Sequence, residues 1–308
     1  MGGGGGGSTR YIGPWTPALQ QKFEQAREQE QQRLDKDVNL ILQELLSRFN
    51  SRDAESTIEK LEDIKKHLGK QVEFDKILYG GSVAKHTDVD GISDVDALVI
   101  LDRSDLEGKP PQNMLNAFYK ILQTSLPSGD VDNIKKGHMA VTVKYKDGTE
   151  IQLLPALKSR NIIFIASTDG KTWNDTKPKI FQQKLTDANS KMNRALIPVI
   201  KLVKSINTDL PKSKQLTGYH IETLAVDGVT NYEGAKTTKA LLLHILGYAA
   251  GRVLKPIKDI TGQSRTVDDY LGKANSPKRM DVYQALVGMK RRLETATTVS
   301  QWKAVFEE

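Results

Sequence analysis

From Thr16 onward apolar residues recur at helical intervals. Leu19, Phe23, Leu34, Val38, Leu40, Ile41, Leu42, Leu45, Leu46 and Phe49 turn an initially polar helix into an amphipathic one, which predicts a single long helix. Residues 51–53 interrupt it, and a second helix is expected over 54–68 with Ile58, Leu61, Ile64 and His67 on one side. Between Val72 and Ala166 the period shortens to about two and β-branched runs replace the helical stripes, the mark of a sheet. Strands are expected at 74–78 and 95–101, a helix at 115–124, and a hairpin of 138–145 with 150–154 around Lys146, Asp147 and Gly148. Helical patterns then return at 187–205, 218–226, 237–255, briefly from Val267, and at 279–306. No internal repeat is visible. The organisation expected is a flexible tail (1–15), a helical arm (16–70), an α/β core with a mixed sheet (71–166) and a helical C-terminal domain (167–308): an α+β fold.

Composition narrows the function classes. With 38% apolar and 27% charged residues the chain can bury a substantial core, so disorder throughout is excluded. There is no cysteine, which removes disulfide scaffolds, thiolate zinc sites and thiol nucleophiles. The longest apolar runs fall well short of the roughly 20 residues a bilayer span needs, so no membrane partner is expected and the cytoplasm is the expected location. Residues 1–8 hold six consecutive glycines and no cleavable apolar core, hence the expectation of a flexible tail without a secretory signal. Lys and Arg exceed Asp and Glu by 45 to 38, a net +7 compatible with nucleotides or nucleic acid and unable to separate the two.

The most informative stretch is Gly80, Gly81, Ser82, Val83, Ala84, Lys85, His86, Thr87, followed by Ser93, Asp94, Val95, Asp96. Two glycines directly after a strand let the backbone turn tightly and approach a ligand. Ser82 adds a hydroxyl, and the next turn can open a helix whose N–H groups face a phosphate. Asp94 and Asp96, two apart on a strand, leave the same face and can hold Mg²⁺ or Mn²⁺ through oxygen. A carboxylate entering the apolar run 97–101 is costly unless a cation or hydrogen bonds compensate it. The combination points to metal-assisted phosphoryl or nucleotidyl transfer.

At these residues the chain resembles the polymerase β-type nucleotidyltransferase superfamily and, within it, the cGAS/DncV-like nucleotidyltransferases (CD-NTases) and oligoadenylate synthetases. Gly81-Ser82 followed by Ser93-Asp94-Val95-Asp96 carries the likeness, and Lys201 and Lys204 with Thr217-Gly218-Tyr219-His220-Ile221-Glu222 extend it. The resemblance implies a polymerase β-like lobe and a helical lobe spanned by the long N-terminal helix. It also implies that Lys201 and Lys204 hold the triphosphate of ATP or another nucleoside triphosphate and that Tyr219 stacks on the base. By residue type alone the two lysines also suit a solvated helix face, and Tyr219 a packed core ring. The family's third acidic residue falls at Gln152, within Glu150, Ile151, Gln152, Leu153, Leu154, Pro155, Ala156. An amide binds a cation weakly and is a poor base, so Glu150, two residues earlier on the same face, is expected to substitute.

The function implied is synthesis of cyclic or linear oligonucleotide second messengers in bacterial anti-phage signalling. A regulatory protein partner is expected rather than direct DNA sensing, since no Cys/His cluster for a zinc element is present. Two rivals stand beside it: an RNA-end nucleotidyltransferase of the CCA-adding or poly(A) type, and a nucleotide-binding pseudoenzyme suggested by Gln152. The basic residues Lys278, Arg279, Lys290, Arg291 and Arg292 could form a docking surface for a polyanion or an acidic protein, leaving nucleic-acid binding open.

Overall fold

The computed structural model describes residues 16–49, 54–89, 94–101, 109–126, 129–159, 162–167, 169–176, 178–261 and 264–307. The expected tail, the break at 51–53 and Ser93 lie outside the described residues. Helix α1 (Pro17–Phe49) is the predicted long helix. Its polar first half is exposed, and its second half buries Val38, Leu42, Leu45 and Leu46 against the helical part of the chain. Helix α2 (Ala54–Leu68) turns Leu61, Ile64 and Leu68 instead onto the sheet. The N-terminal helical segment is therefore shared: α1 belongs to one core and α2 to the other.

Among the described residues seven strands form one mixed sheet: β1 (Phe74–Tyr79), β2 (Val95–Leu101), β3 (Val131–Lys136), β4 (Val141–Tyr145), β5 (Glu150–Ser159), β6 (Ile162–Ala166) and β7 (Trp173–Thr176). Their order is β1-β2-β5-β4-β3, with β6 beside β5 and β7 beside β6. Among the described strands only β2 and β5 pair in parallel. Alternation sorts β2 cleanly. Val95, Ala97, Val99 and Leu101 pack under α2 and under α3 (Pro111–Ser125), while Leu98 and Ile100 face the other way, with Asp94 and Asp96 continuing that second face. The acidic pair thus emerges where the apolar run ends, on the side away from α2 and α3.

Several boundaries differ from expectation for identifiable reasons. Strand β5 does not stop before Pro155 but runs through it. Its pairing with β4 ends at Leu153 and its pairing with β6 begins at Ala156, so the missing N–H costs no bond to either antiparallel neighbour. The edge strands β3 and β7 are largely polar and carry no two-period apolar signal. Strand β7 also carries the sheet past the boundary expected at residue 166.

The helix expected over 187–205 is two, α4 (Pro178–Lys191) and α5 (Leu196–Thr208). Asn193 and Arg194 between them take left-handed backbone angles, and the Asn189 side chain accepts the Ile197 N–H at 3.1 Å. Helices α6 (Gly218–Gly228) and α7 (Thr238–Arg252) follow as expected, and the short helix near 267 is a single 3-10 turn at Asp269–Leu271. The last helix divides into α8 (Pro277–Thr295) and α9 (Val299–Ala304), the second started by a Thr298–Gln301 capping box.

Candidate active site

The glycine loop after β1 closes directly on the acidic strand. Gly80 N–H donates to the Asp96 carbonyl at 2.7 Å, and Gly81 lies in the left-handed region at φ +51°. A Cβ on Gly81 would overlap the Asp96 carboxylate, so both the backbone angle and the close approach require glycine. Beyond it, Ser82 begins a single 3-10 turn, Val83–Lys85, rather than a full helix. The N–H groups of Ala84, Lys85, His86 and Thr87 are spent on the carbonyls of residues 80, 82, 83 and 82, which corrects the expectation that this turn presents a row of helical N–H groups to a phosphate. Gly81 remains beside the Asp96 carboxylate, with Ser82 next to it in the chain.

Asp96 is largely withdrawn from water and lies near Asp94. Burial first, and the like charge of Asp94 second, push its carboxyl up to about 6, although Lys85 and Lys204 pull the other way. Two acidic groups that repel each other at the end of an apolar strand form a donor set that a divalent cation would relieve. Among the described residues no three His, Asp or Glu side chains gather as a closed metal site. Asp94 and Asp96 are oxygen donors of the kind that would hold a hard divalent cation.

The third position is held by an amide. Parallel pairing sets Gln152 beside Asp96, on the same face, and its Nε2 donates to Asp94 Oδ2. Glu150 does not join the pair. It lies opposite Lys144 in the β4–β5 ladder, and its carboxylate stands 3.3 Å from Lys144 Nζ.

The helical side contributes a buried charge cluster. Lys201 and Lys204 lie on α5 only 8% and 5% exposed, which excludes the solvated-face reading. Lys201 Nζ is 3.9 Å from Asp88 Oδ1. Lys204 Nζ donates to the Thr87 carbonyl at 2.9 Å and to Glu222 Oε1 at 2.9 Å, while Lys85 pairs with Glu222 Oε2. Burial lowers the Lys204 ammonium and the Glu222 charge counteracts it. Tyr219, one turn of α6 before Glu222, packs on Phe181 of α4 with ring centroids 4.9 Å apart, and its hydroxyl donates to Asp259 at 3.0 Å. The structure thus brings together Gly81, Ser82, Asp94, Asp96 and Gln152, and sets Lys204 and Tyr219 on the facing helices.

Sequence reasoning missed Lys85, Thr87, Phe181 and Glu222 as members of this cluster. The two histidines of these motifs stay outside the cluster. His86 is exposed, and His220 is wholly buried as a packing residue. Arg279 leaves the proposed basic docking surface altogether: it is 0% exposed and bonds to Asp268 Oδ2 at 2.6 Å.

Comparison with known proteins identifies the family and the fold. The Second Messenger Oligonucleotide or Dinucleotide Synthetase domain family matches residues 35–189, the stretch that holds the glycine loop, the acidic pair and Gln152. No curated protein sequence matches the chain. Among solved structures, CdnC of E. coli MS115-1 with ATP is similar at TM-score 0.62 and 16% identity, covering 83% of this chain and 91% of that one. The same CdnC in complex with HORMA-deltaN gives 0.60 and 16%, covering 82% and 90%. Vibrio cholerae DncV cyclic AMP-GMP synthase, with the linear intermediate 5′ pppA(3′,5′)pG, gives 0.59 and 14%, covering 95% and 90%. At such identities these likenesses show the shared fold, in agreement with the expected polymerase β-like lobe and helical lobe.

Proposed function

This chain belongs to the Second Messenger Oligonucleotide or Dinucleotide Synthetase family and is a nucleotidyltransferase; from that premise and the geometry of the cleft we propose that it links nucleoside triphosphates into cyclic or linear oligonucleotide signals. A ribose hydroxyl would bond to the α-phosphorus of a second triphosphate as the bond to pyrophosphate breaks. A bound Mg²⁺ or Mn²⁺ would supply charge neutralisation at the phosphates. Asp94 and Asp96 are the groups that would hold it, with the Gln152 amide fixing Asp94 in place of a third acid.

Gly81 and Ser82 would cradle the phosphates, Lys201 and Lys204 would answer the charge of the triphosphate tail, and Tyr219 would stack on a base. The observation that carries this reading is the closure of Gly81 on Asp96, which sets the turn of the glycine loop directly against the acidic pair, where one phosphate-bearing ligand could meet both.

Further proposals follow from the relatives. CdnC has been solved with HORMA-deltaN, which supports a regulatory protein partner for this chain as well. We place the activity in the cytoplasm, where triphosphates are available, and in anti-phage signalling; among the described residues no helix is long and apolar enough to cross a membrane.

Incubation with the four labelled triphosphates and Mg²⁺ or Mn²⁺, followed by phosphatase treatment, tests the reading. Phosphatase-resistant oligonucleotides are expected, and their absence with every triphosphate would overturn it. Gln152 favours one second reading, a nucleotide-binding protein without turnover, for which the same assay shows binding and no product.

A further inference from the structure

Resting on that reading of the cleft, we infer that Glu222 is a positioning residue: its single buried carboxylate holds Lys85 and Lys204 for the triphosphate and pins the helical lobe to the phosphate loop. The side chain is 1% exposed, and its two oxygens are divided among three partners. Oε1 accepts from Thr87 Oγ1 at 2.5 Å and from Lys204 Nζ at 2.9 Å, and Oε2 pairs with Lys85. These partners come from different parts of the chain: Lys85 and Thr87 from the loop after β1, Lys204 from α5, Glu222 itself from α6. Lys204 closes the ring by donating to the Thr87 carbonyl and hydroxyl at 2.9 and 3.2 Å.

Packing alone does not account for such a group. A carboxylate withdrawn from water into a helix core carries a large desolvation cost, and an apolar side chain of the same size generally serves stability as well or better. Within the ring, two ammonium groups answer one carboxylate, so one positive charge is left over. Lys85 and Lys204 also lower the pKa of Asp96, so both ammonium groups act on the acidic pair, and a triphosphate held there by a cation would meet both. The Lys85 ammonium also lies 5.2 Å above the Phe181 ring and 5.6 Å above the Tyr219 ring, so the bond that fixes it also sets it against the proposed base platform. Losing the Glu222 charge would free both lysines from their set positions without touching Asp94 or Asp96.

The test compares turnover and melting temperature for wild type, Glu222→Gln, Lys85→Met, Lys85→Arg and the double variant Glu222→Gln/Lys85→Met. Glu222→Gln and Lys85→Met should each raise KM for the triphosphate about tenfold or more, the worth of one charge-assisted hydrogen bond, with kcat within about threefold. Lys85→Arg should keep KM within about threefold of wild type, and the double variant should exceed Glu222→Gln by no more than about threefold, because the residues act as one unit. Unchanged KM in both single variants, or fully additive effects, would overturn the inference while leaving the enzyme reading intact. If Glu222→Gln does not fold, the contrast between Lys85→Met and Lys85→Arg decides. If wild type neither binds nor converts any triphosphate, the function proposed above is what fails.

Discussion

Helix α6 stands between two buried charge clusters that handle the same physical problem in opposite ways. On one side His220 belongs to a closed group. Asp268 and Arg279, both 0% exposed, bond to each other at 2.6 Å. Asp268 also accepts the Ile257 N–H at 2.9 Å, and Arg279 donates to the carbonyls of Val253 and Gly272 at 2.8 and 3.0 Å. Tyr270 takes the Thr217 N–H and bonds to His220 Nδ1 at 2.8 Å. On the other side Glu222 faces two ammonium groups, and across the cleft Asp94 and Asp96 repel each other. At the centre of the first cluster Asp268 and Arg279 are neutral as a pair and bound to each other and to backbone groups on several sides, as charges retained for folding must be. The second holds like charges side by side, two ammonium groups at one carboxylate and Asp94 beside Asp96, and the raised pKa of Asp96 shows that Lys85 and Lys204 answer its charge only in part, an arrangement suited to an ionic ligand.

The sharpest way to break this contrast is Asp96→Asn. Turnover should fall about 10³-fold or more, since the metal-held phosphate loses several kcal/mol of stabilisation. In the absence of divalent cation and nucleotide, the same variant should be more stable than wild type at pH 7 by roughly 3 kcal/mol, because the carboxyl is held well above its ordinary range and its ionisation opposes folding. Denaturant melts check the second half. A destabilised variant would mean that Asp96 is as fully compensated as Asp268, and the contrast would collapse.

Arg279→Met should have the reverse profile. It strands Asp268 without its partner in the core, and the expected loss is about 3–5 kcal/mol of unfolding free energy with catalytic constants of the folded fraction unchanged within about twofold. A loss below about 1 kcal/mol would show the closed cluster to be no more than a surface-type pair.

Acidification separates the clusters by sign. Burial first, with Arg279 and Arg252 adding to it, lowers His220 to about 4, so between the ordinary histidine value and pH 4 the unfolded chain binds a proton that the folded chain refuses, and stability falls as pH falls. Asp96 behaves oppositely. Its pKa is raised to about 6, so from pH 6 down to its ordinary value near 3.8 the folded chain binds the extra proton and stability rises as pH falls. The advantage of Asp96→Asn over wild type should therefore be largest at pH 7 and vanish by about pH 4, while the variant itself loses about 3 kcal/mol over that interval from His220. Parallel curves for variant and wild type would sink the assignment of charge cost to Asp96.

What was legible in the sequence follows the range of the interactions. The strand, double glycine, Ser82 and the alternating Asp94 and Asp96 are local, and their period placed them on one face before any contact was known. The second face of β2, the length of α1 and the start of α6 were legible for the same reason. The division of α4 from α5 was not, because left-handed Asn193 and Arg194 leave the apolar period unbroken. Nor was β5 beyond Pro155, where only the exchange of antiparallel neighbours makes proline harmless. Glu222 closes the Thr217–Glu222 element in the sequence without a role of its own; its bonds to Lys85 and Thr87 span 137 and 135 residues, beyond any periodicity.

The smallest expected effect concerns the residue that sequence reasoning favoured as a substitute acid. Alternation puts Glu150 on the face of Gln152, and that much was correct, but register decides its partner: it stands across from Lys144, with its carboxylate 35% exposed and 3.3 Å from the ammonium. An ion pair open to solvent contributes on the order of 0–1 kcal/mol and weakens with salt. Glu150→Gln should accordingly change turnover by less than about twofold and stability by less than about 1 kcal/mol, while Gln152→Leu, which removes the amide from Asp94, should lower turnover about tenfold or more. If the two variants change places in a side-by-side assay, Glu150 belongs to the open cluster after all, and the cleft works with three carboxylates instead of two.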